Sequence, residues 1–244
     1  MLESIEVVIP VYNEEKVLSK SVEKLIKFLK VELGNPWRIL IADNASTDGT
    51  RVVGERLCRE HPEVRYFYLR EKGRGRALRA AWLASDADIV SYMDVDLSTD
   101  PDHLVELVHA LKSGYHIAVG SRLSKGSQVT RSFKREFISR SYNLMIKGLF
   151  FTSFPDAQCG FKALTRQAAQ AIIPHVQNNN WFFDTELLII SAKGGYSIKS
   201  VPVKWVDDPD STVNVLRTAT EDITGLLRLR FGGVPVVPSP EHLK

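Results

Sequence analysis

Cysteine is scarce in this chain: Cys58 and Cys159 are the only two among 244 residues. Two cysteines that far apart build neither a disulfide framework nor a thiolate zinc site, and their scarcity fits a reducing compartment. Net charge is scarce as well. The 32 Lys and Arg stand against 29 Asp and Glu, a formal +3. That balance gives no reason to expect a nucleic-acid partner. Long apolar runs are missing. The nearest, LMIKGLFFTSF over 144–154, is interrupted by Lys147 and falls short of the roughly 18 apolar residues that read as a membrane span. No basic stretch precedes the first apolar segment, so no secretory leader is expected. The six histidines show no metal-ligand spacing. What is present is a globular composition, 44% apolar and 25% charged. One large α/β domain is the expectation at this length.

The first 120 residues alternate between two periods. Apolar strand-like runs fall at 5–11, 38–42, 64–69, 89–93 and 117–120. Helical patterns fall between them, at 14–33, 46–61, 75–84 and 101–113. Leu18, Val22, Leu25 and Leu29 mark one face of the first helix. Strict alternation predicts a mostly parallel sheet with helices on both faces. After Ser121 the rhythm changes. A basic stretch runs into a mixed apolar helix over 131–154, and further helices are expected at 165–174, 184–193 and 215–231, with a strand at 197–203. The last helix shows Leu216, Ile223, Leu226 and Leu227 on one side, a stripe best explained by packing on the core. A single domain over 1–231 is expected, followed by a proline-rich, flexible tail over 232–244.

Open α/β sheets bind ligands beyond the carboxyl ends of their strands. The chemistry-bearing residues of this chain gather there. Tyr12, Asn13 and Glu14 follow the first strand, and Asp43, Asn44, Ser46, Thr47 and Asp48 the second. Lys72, Arg74 and Arg76 follow the third, Asp94, Asp96 and Ser98 the fourth, and Ser121 and Arg122 the fifth. Asp94-Val95-Asp96 is the sharpest signal. Two carboxylates two residues apart can share a hard divalent cation, and Mg²⁺ and Mn²⁺ commonly bridge such oxygens to a substrate phosphate. Residues 72–76 (KGRGR) suit an anion cradle at a helix start and equally a solvated basic turn. No GxGxxG follows the first strand, which argues against a dinucleotide-dependent dehydrogenase, and no GK[ST] follows the glycines.

Together these segments resemble the family 2 glycosyltransferases of the GT-A fold. The run 8–15 (VIPVYNEE) is similar to the family's opening strand. The run 43–50 (DNASTDGT) resembles its DDGSTDGT turn, with Asn44 replacing the second aspartate, and 94–98 (DVDLS) resembles its DxD segment. The runs 72–77 (KGRGRA), 156–162 (DAQCGFK) and 181–188 (WFFDTELL) are similar to the dolichyl-phosphate glucosyltransferases and, more loosely, to the dolichyl-phosphate mannose synthases. The QxxRW motif of processive polysaccharide synthases is absent.

The resemblance implies a GT-A catalytic domain with a nucleotide-sugar half, 1–121, and an acceptor half, 122–231. It implies an inverting, metal-dependent hexosyl transfer from a nucleotide sugar to a polyprenyl or dolichyl phosphate, with UDP-glucose the first choice of donor and GDP-mannose the next. The loop over 207–212 (DDPDST) lacks the basic residues that mannose synthases carry near this place. By resemblance, Pro10, Tyr12, Glu14 and Asp43 hold the base and ribose, and Lys72 lies near the base or diphosphate. Asp94 and Asp96 bind the diphosphate through Mg²⁺ or Mn²⁺, and Ser98 stands where mannose synthases have a third metal contact. Arg122, Arg135 and Ser139 are expected to grip the acceptor phosphate, with Arg131 nearby. Asp96, Asp184 and Arg122 are the expected catalytic residues.

A phosphate acceptor is already anionic near neutral pH and needs cationic positioning more than a base. Asp184 would then order the site. With a hydroxyl acceptor Asp184 becomes the base candidate, in competition with Glu186. Two alternatives stay open: sugar transfer to a hydroxyl of a glycan or small molecule, and a nucleotide-sugar-binding protein without turnover. A lipid acceptor implies work at the cytoplasmic face of a membrane. The basic and apolar residues of 131–154 suit peripheral contact with it.

Overall fold

The computed structural model describes residues 3–207 and 215–243, with the side chains of 215–217 and 242–243 left aside. Nine strands and eight α-helices are described. In chain order they are β1 Ile5–Val11, α1 Leu18–Glu32, β2 Trp37–Asn44, α2 Thr50–Glu60, β3 Val64–Leu69, α3 Arg74–Ala84, β4 Ile89–Met93, α4 His103–Lys112 and β5 Ile117–Ser121. After them come β6 Gln128–Thr130, α5 Phe133–Phe150, β7 Phe161–Thr165, α6 Arg166–Ile172, α7 Phe183–Lys193, β8 Ile198–Pro202, β9 Lys204–Val206 and α8 Val215–Gly232.

Seven strands form the central sheet in the order β3-β2-β1-β4-β7-β5-β8. Helices cover both faces, so its central strands are buried and mostly apolar. All seven residues of β1 are buried. Side chains of α1, α2 and α4 fill the core on one face. Those of α3, α5, α6, α7 and α8 fill the other, around the fully buried Trp82, Phe182 and Phe183. The expected α/β architecture is present. Alternation did not reveal β7, which lies antiparallel to both β4 and β5. A strand inserted from later in the chain carries no signature in βα spacing. The small parallel pair β6–β9 was not expected either.

The register shows where the sheet opens. β1 and β2 stay paired to Val11 and Asp43, whereas β1 and β4 part company after Val8 and Tyr92. Pro10, which has no N–H to offer a ladder, lies just past the last β1–β4 pair. The strand order reverses between β1 and β4, which is the crevice where open sheets take ligands.

Two expectations give way. Helix α2 begins at Thr50, not near 46, because side chains hold 46–49 as a turn. The Asp43 carboxylate accepts from the Ser46 N–H at 2.8 Å, Asn13 from the Thr47 N–H at 2.8 Å and Asp48 from the Thr50 N–H at 2.9 Å. The segment expected as a flexible tail packs back on the domain. Val237 is buried in the core, and Tyr196 Oη donates to the Pro238 carbonyl at 2.7 Å. On α8, Leu226 and Leu229 are buried, while Ile223 and Leu227 are half exposed. Only part of the expected stripe therefore packs inward. The Leu216 and Arg217 side chains, and the loop residues 208–212, lie outside the described residues.

Candidate active site

The first strand end is held by paired turns. The Glu14 N–H donates to Thr50 Oγ1 at 2.7 Å. The Lys72 ammonium lies 3.4 Å from the centroid of the Tyr12 ring, a cation–π pair that joins the loops after β1 and β3. Pro10 is buried in its strand opposite Ala42, so it shapes the floor and presents no side chain to the crevice. Asp43 is fully buried and already engaged by Ser46 and by Tyr66 Oη, at 2.6 Å. One oxygen supports the turn and the other ties it to β3.

Asn44 explains its departure from the family's aspartate pair. Its Nδ2 donates to the Val11 carbonyl at 2.5 Å, and its Oδ1 accepts from the Gly73 N–H at 3.2 Å. An amide can do both; a carboxylate can only accept. Gly73 has φ +156, and a Cβ there would strike the Asn179 carbonyl. The basic loop is thereby drawn across the sheet end by its own backbone.

Beyond β4, Asp94 is 41% exposed and Asp96 is exposed. The Ser98 N–H and hydroxyl donate to the two oxygens of Asp96 at 2.9 and 2.7 Å. Ser98 thus orients Asp96. Among the described residues no third His, Cys, Asp or Glu joins these carboxylates in a metal-sized cluster. Two hard oxygen donors open to solvent fit Mg²⁺ or Mn²⁺ with the remaining positions left to water and substrate oxygens. Gly160 lies against them, where a Cβ would run into the Asp94 carboxylate.

The centre of the site is a residue that sequence reading treated only as part of a basic run. Arg74 donates through Nη2 to Asp94 at 2.8 Å and through Nη1 to Asp184 at 2.6 Å. Its guanidinium lies 4.8 Å from the Tyr92 ring centroid and 5.0 Å from that of Trp181. The other Asp184 oxygen takes the Tyr92 hydroxyl at 2.5 Å and the Lys162 ammonium at 2.9 Å. Lys162 itself is fully buried and donates to the Cys159 carbonyl at 2.6 Å. Burial alone would raise the Asp184 pKa, but Lys162 and Arg74 outweigh it and hold the carboxyl below its ordinary value. Glu186 is fully buried and spent as well, on Arg228 at 2.7 Å and on the Asn178 N–H at 2.8 Å.

Each of the expected acceptor residues has its own surroundings. Arg122 makes a two-pronged pair with the buried Asp156, Nε at 2.8 Å and Nη2 at 2.9 Å, and the Arg122 N–H donates to the same carboxylate. This pairing drives the Asp156 pKa down to about 2 against its burial. Arg135 is exposed and pairs with Asp207, and Arg131 pairs with Glu136. Ser139 is buried, and its Oγ has no hydrogen-bond partner among the described residues. Strand β9 links the two sides. The Val206 N–H donates to the Ser98 carbonyl at 2.9 Å, Trp205 lies under the Arg122 guanidinium at 5.5 Å, and Asp207 follows. Arg74, Lys162, Tyr92 and Asp156 were not assigned roles from sequence. All but Tyr92 stand in the quoted KGRGR and DAQCGFK runs, so the signal was charge inside an apolar neighbourhood.

Comparison with known proteins agrees with this geometry. The family model described as Glycosyl transferase family 2 matches residues 6–173. Glycosyltransferase AglD of Haloferax volcanii is 34% identical over 225 residues, covering 91% of this chain and 35% of that protein. A dolichyl-phosphate beta-glucosyltransferase, ALG5C of Trichomonas vaginalis, is 30% identical over 220 residues, 85% of this chain and 65% of its own length. The Saccharomyces cerevisiae dolichyl-phosphate beta-glucosyltransferase is 27% identical, with 82% and 66% covered. The chain therefore spans about a third of the first of these relatives and just under two thirds of the other two. Among solved structures, glucosyl-3-phosphoglycerate synthase from Mycobacterium tuberculosis, in complex with Mn²⁺, UDP and glucosyl-3-phosphoglycerate, superposes with a TM-score of 0.69. At 18% identity, over 95% of this chain and 81% of that one, the likeness shows the shared fold.

Proposed function

The chain belongs to glycosyl transferase family 2, and from that premise we propose that it transfers a hexosyl group from a nucleoside-diphosphate sugar to a polyprenyl or dolichyl phosphate, with inversion at the anomeric carbon. UDP-glucose is the favoured donor and GDP-mannose the next. The names of the similar dolichyl-phosphate beta-glucosyltransferases support glucose.

One observation carries the choice of acceptor. Both carboxylates that could serve as a general base are buried and committed to cations, Asp184 to Lys162 and Arg74, Glu186 to Arg228. Asp184, held below its ordinary pKa, is a weak base. A hydroxyl acceptor needs a base; a phosphate acceptor brings its own nucleophilic oxygen. In the reaction a phosphate oxygen of the acceptor forms a bond to the anomeric carbon, and the bond from that carbon to the nucleoside diphosphate breaks, leaving the diphosphate with the electron pair. Asp94 and Asp96 would hold Mg²⁺ or Mn²⁺, which supplies charge neutralisation for the leaving diphosphate. Arg74 keeps Asp94 aimed at that place and keeps Asp184 ionised, so that Asp184 orders Tyr92 and Lys162 around the reacting carbon. Tyr12, Glu14 and Lys72 form the side of the crevice that would receive the nucleoside.

The acceptor's lipid end would lie beyond α5. Phe133, Phe137, Ile138, Leu144 and Met145 are exposed on that helix, with Lys134, Arg140 and Lys147 among them. This is the composition of a surface that lies on anionic lipid. Among the described residues no helix is long and apolar enough to cross a membrane.

The test offers UDP-glucose with Mn²⁺ and two acceptors of one chain length, a polyprenyl phosphate and the matching polyprenol. The expected result is polyprenyl phosphoglucose with UDP released and no product from the alcohol. Equal glucosylation of the alcohol would replace this reading with the hydroxyl-acceptor one. Metal-dependent UDP-glucose binding with no transfer to either acceptor would leave a binding protein.

A further inference from the structure

Helix α8 carries a buried carboxyl group that the mechanism above does not use. Asp222 is 5% exposed. Its Oδ2 accepts from Gln158 Nε2 at 2.8 Å, and the Tyr142 hydroxyl on α5 acts on the carboxyl group by lowering its pKa. Tyr142 Oη reaches Thr185 Oγ1 at 3.0 Å. Asp222 Oδ1 has no partner among the described residues. Buried oxygens of this kind are uncommon and call for an explanation.

Both arms of this cluster end on the site. Gln158 donates its N–H to Asp156 at 3.1 Å, the carboxylate that locks Arg122, and it stands two residues before Gly160, which abuts Asp94. Thr185 is fully buried between Asp184 and Glu186 at the start of α7. We propose that Asp222 is a positioning residue of the transferase site, tying α8 through Gln158 to the 156–160 loop and through Tyr142 to α7, and that gain of a proton by its carboxyl group loosens both ties. The role rests on the function proposed above and deepens it.

The chemistry is that of an acceptor switching character. The ionised carboxylate accepts from Gln158, and bonds to an ionised acceptor are shorter and stronger than neutral ones. The protonated acid loses that advantage. Burial, with Glu221 on the same helix and Asp184 on α7 adding negative charge, pushes the Asp222 pKa up to about 7 against the lowering effect of Tyr142 and Gln158. The switch therefore falls in the range where the enzyme would work. Arg228, further along α8, is committed to Glu186 and Gln177.

Wild type, Asp222→Asn and Tyr142→Phe are compared from pH 5.5 to 8.5 for glucosyl transfer to polyprenyl phosphate and for melting temperature. A folded-state pKa above the unfolded value means that stability is present at low pH and lost as pH rises through about 7. The wild type should thus lose melting temperature relative to Asp222→Asn as pH rises. Its transfer rate, relative to that variant, should rise several-fold over the same range. The acceptor phosphate also titrates near pH 6, but it does so equally in both, so the ratio isolates Asp222. Tyr142→Phe removes the hydroxyl that lowers the carboxyl pKa and should move the midpoint of both effects upward. A melting difference that does not change with pH overturns the proposal, because Asp222 then does not titrate. A changing melting difference with a constant rate ratio overturns it too, because the carboxyl group is then uncoupled from the site. Folded wild type that transfers to no acceptor at any pH removes the proposed function, and the positioning role with it.

Discussion

The two carboxylates beyond β4 and the two that guard the second half of the chain occupy opposite surroundings. Asp94 and Asp96 stand open to solvent, supported by Arg74 and Ser98. Asp156 and Asp184 are buried and met by Arg122, Arg74 and Lys162. Carboxylates exposed in this way can still be reached by a ligand's cation. Closed ones have given theirs to protein cations, and what they supply is the position of those cations. Residue type is the same in both pairs; burial assigns the role.

The comparison breaks most visibly at Asp156. Asp156→Ala leaves the Arg122 guanidinium buried without its partner, a change that costs about 3–5 kcal/mol in such pairs. Urea unfolding should show it as a lowered midpoint with the slope unchanged. The same pair gives an acid limb. With its pKa down to about 2 in the folded protein, Asp156 adds stability that is present above the ordinary aspartate value of about 3.9 and is lost as pH falls through about 2. That is a loss of about 2 kcal/mol, read by melting between pH 5 and 2 and absent in Asp156→Asn. Asp96→Ala should do the reverse. Transfer should fall about 10²–10³-fold, as when one transition-state contact is removed, while the melting temperature stays near that of wild type because the side chain is exposed. A large melting loss there would erase the contrast between the two pairs. The smallest effect sharpens it from outside either pair. Asn44→Asp cannot donate to the Val11 carbonyl and should lose about 1–3 kcal/mol of stability, with a raised KM for the donor and a smaller change in kcat.

How much was legible follows from the kind of signal each element carries. Strands β1–β5 and their helices were readable because burial on both faces of a parallel sheet writes continuous apolar runs between amphipathic helices. The DxD pair was readable because its chemistry needs two acids at a fixed local spacing just past a strand. Strand β7 was not readable. Phe161–Thr165 is five residues long, and its place between β4 and β5 is a long-range pairing with no local period. Arg74 was visible as a charge, but nothing in KGRGR says that its two prongs reach Asp94 and Asp184. The surroundings of Arg122, Arg135 and Ser139 were hidden for the same reason. Arg122 finds Asp156, Arg135 finds Asp207, and Ser139 is buried.

By itself, then, the sequence determined the layered α/β architecture and the family. Each of these is written locally, in the continuous apolar runs of buried strands, the 3.6-residue period of helices and the short turns between them. The tertiary structure decided which charges are paired and which are left open. It clamped Asp184, hid Asp156 beneath Arg122 and left one oxygen of Asp222 without a partner among the described residues. Those outcomes depend on distances between residues far apart in the chain and on the removal of water around them. No local pattern encodes either.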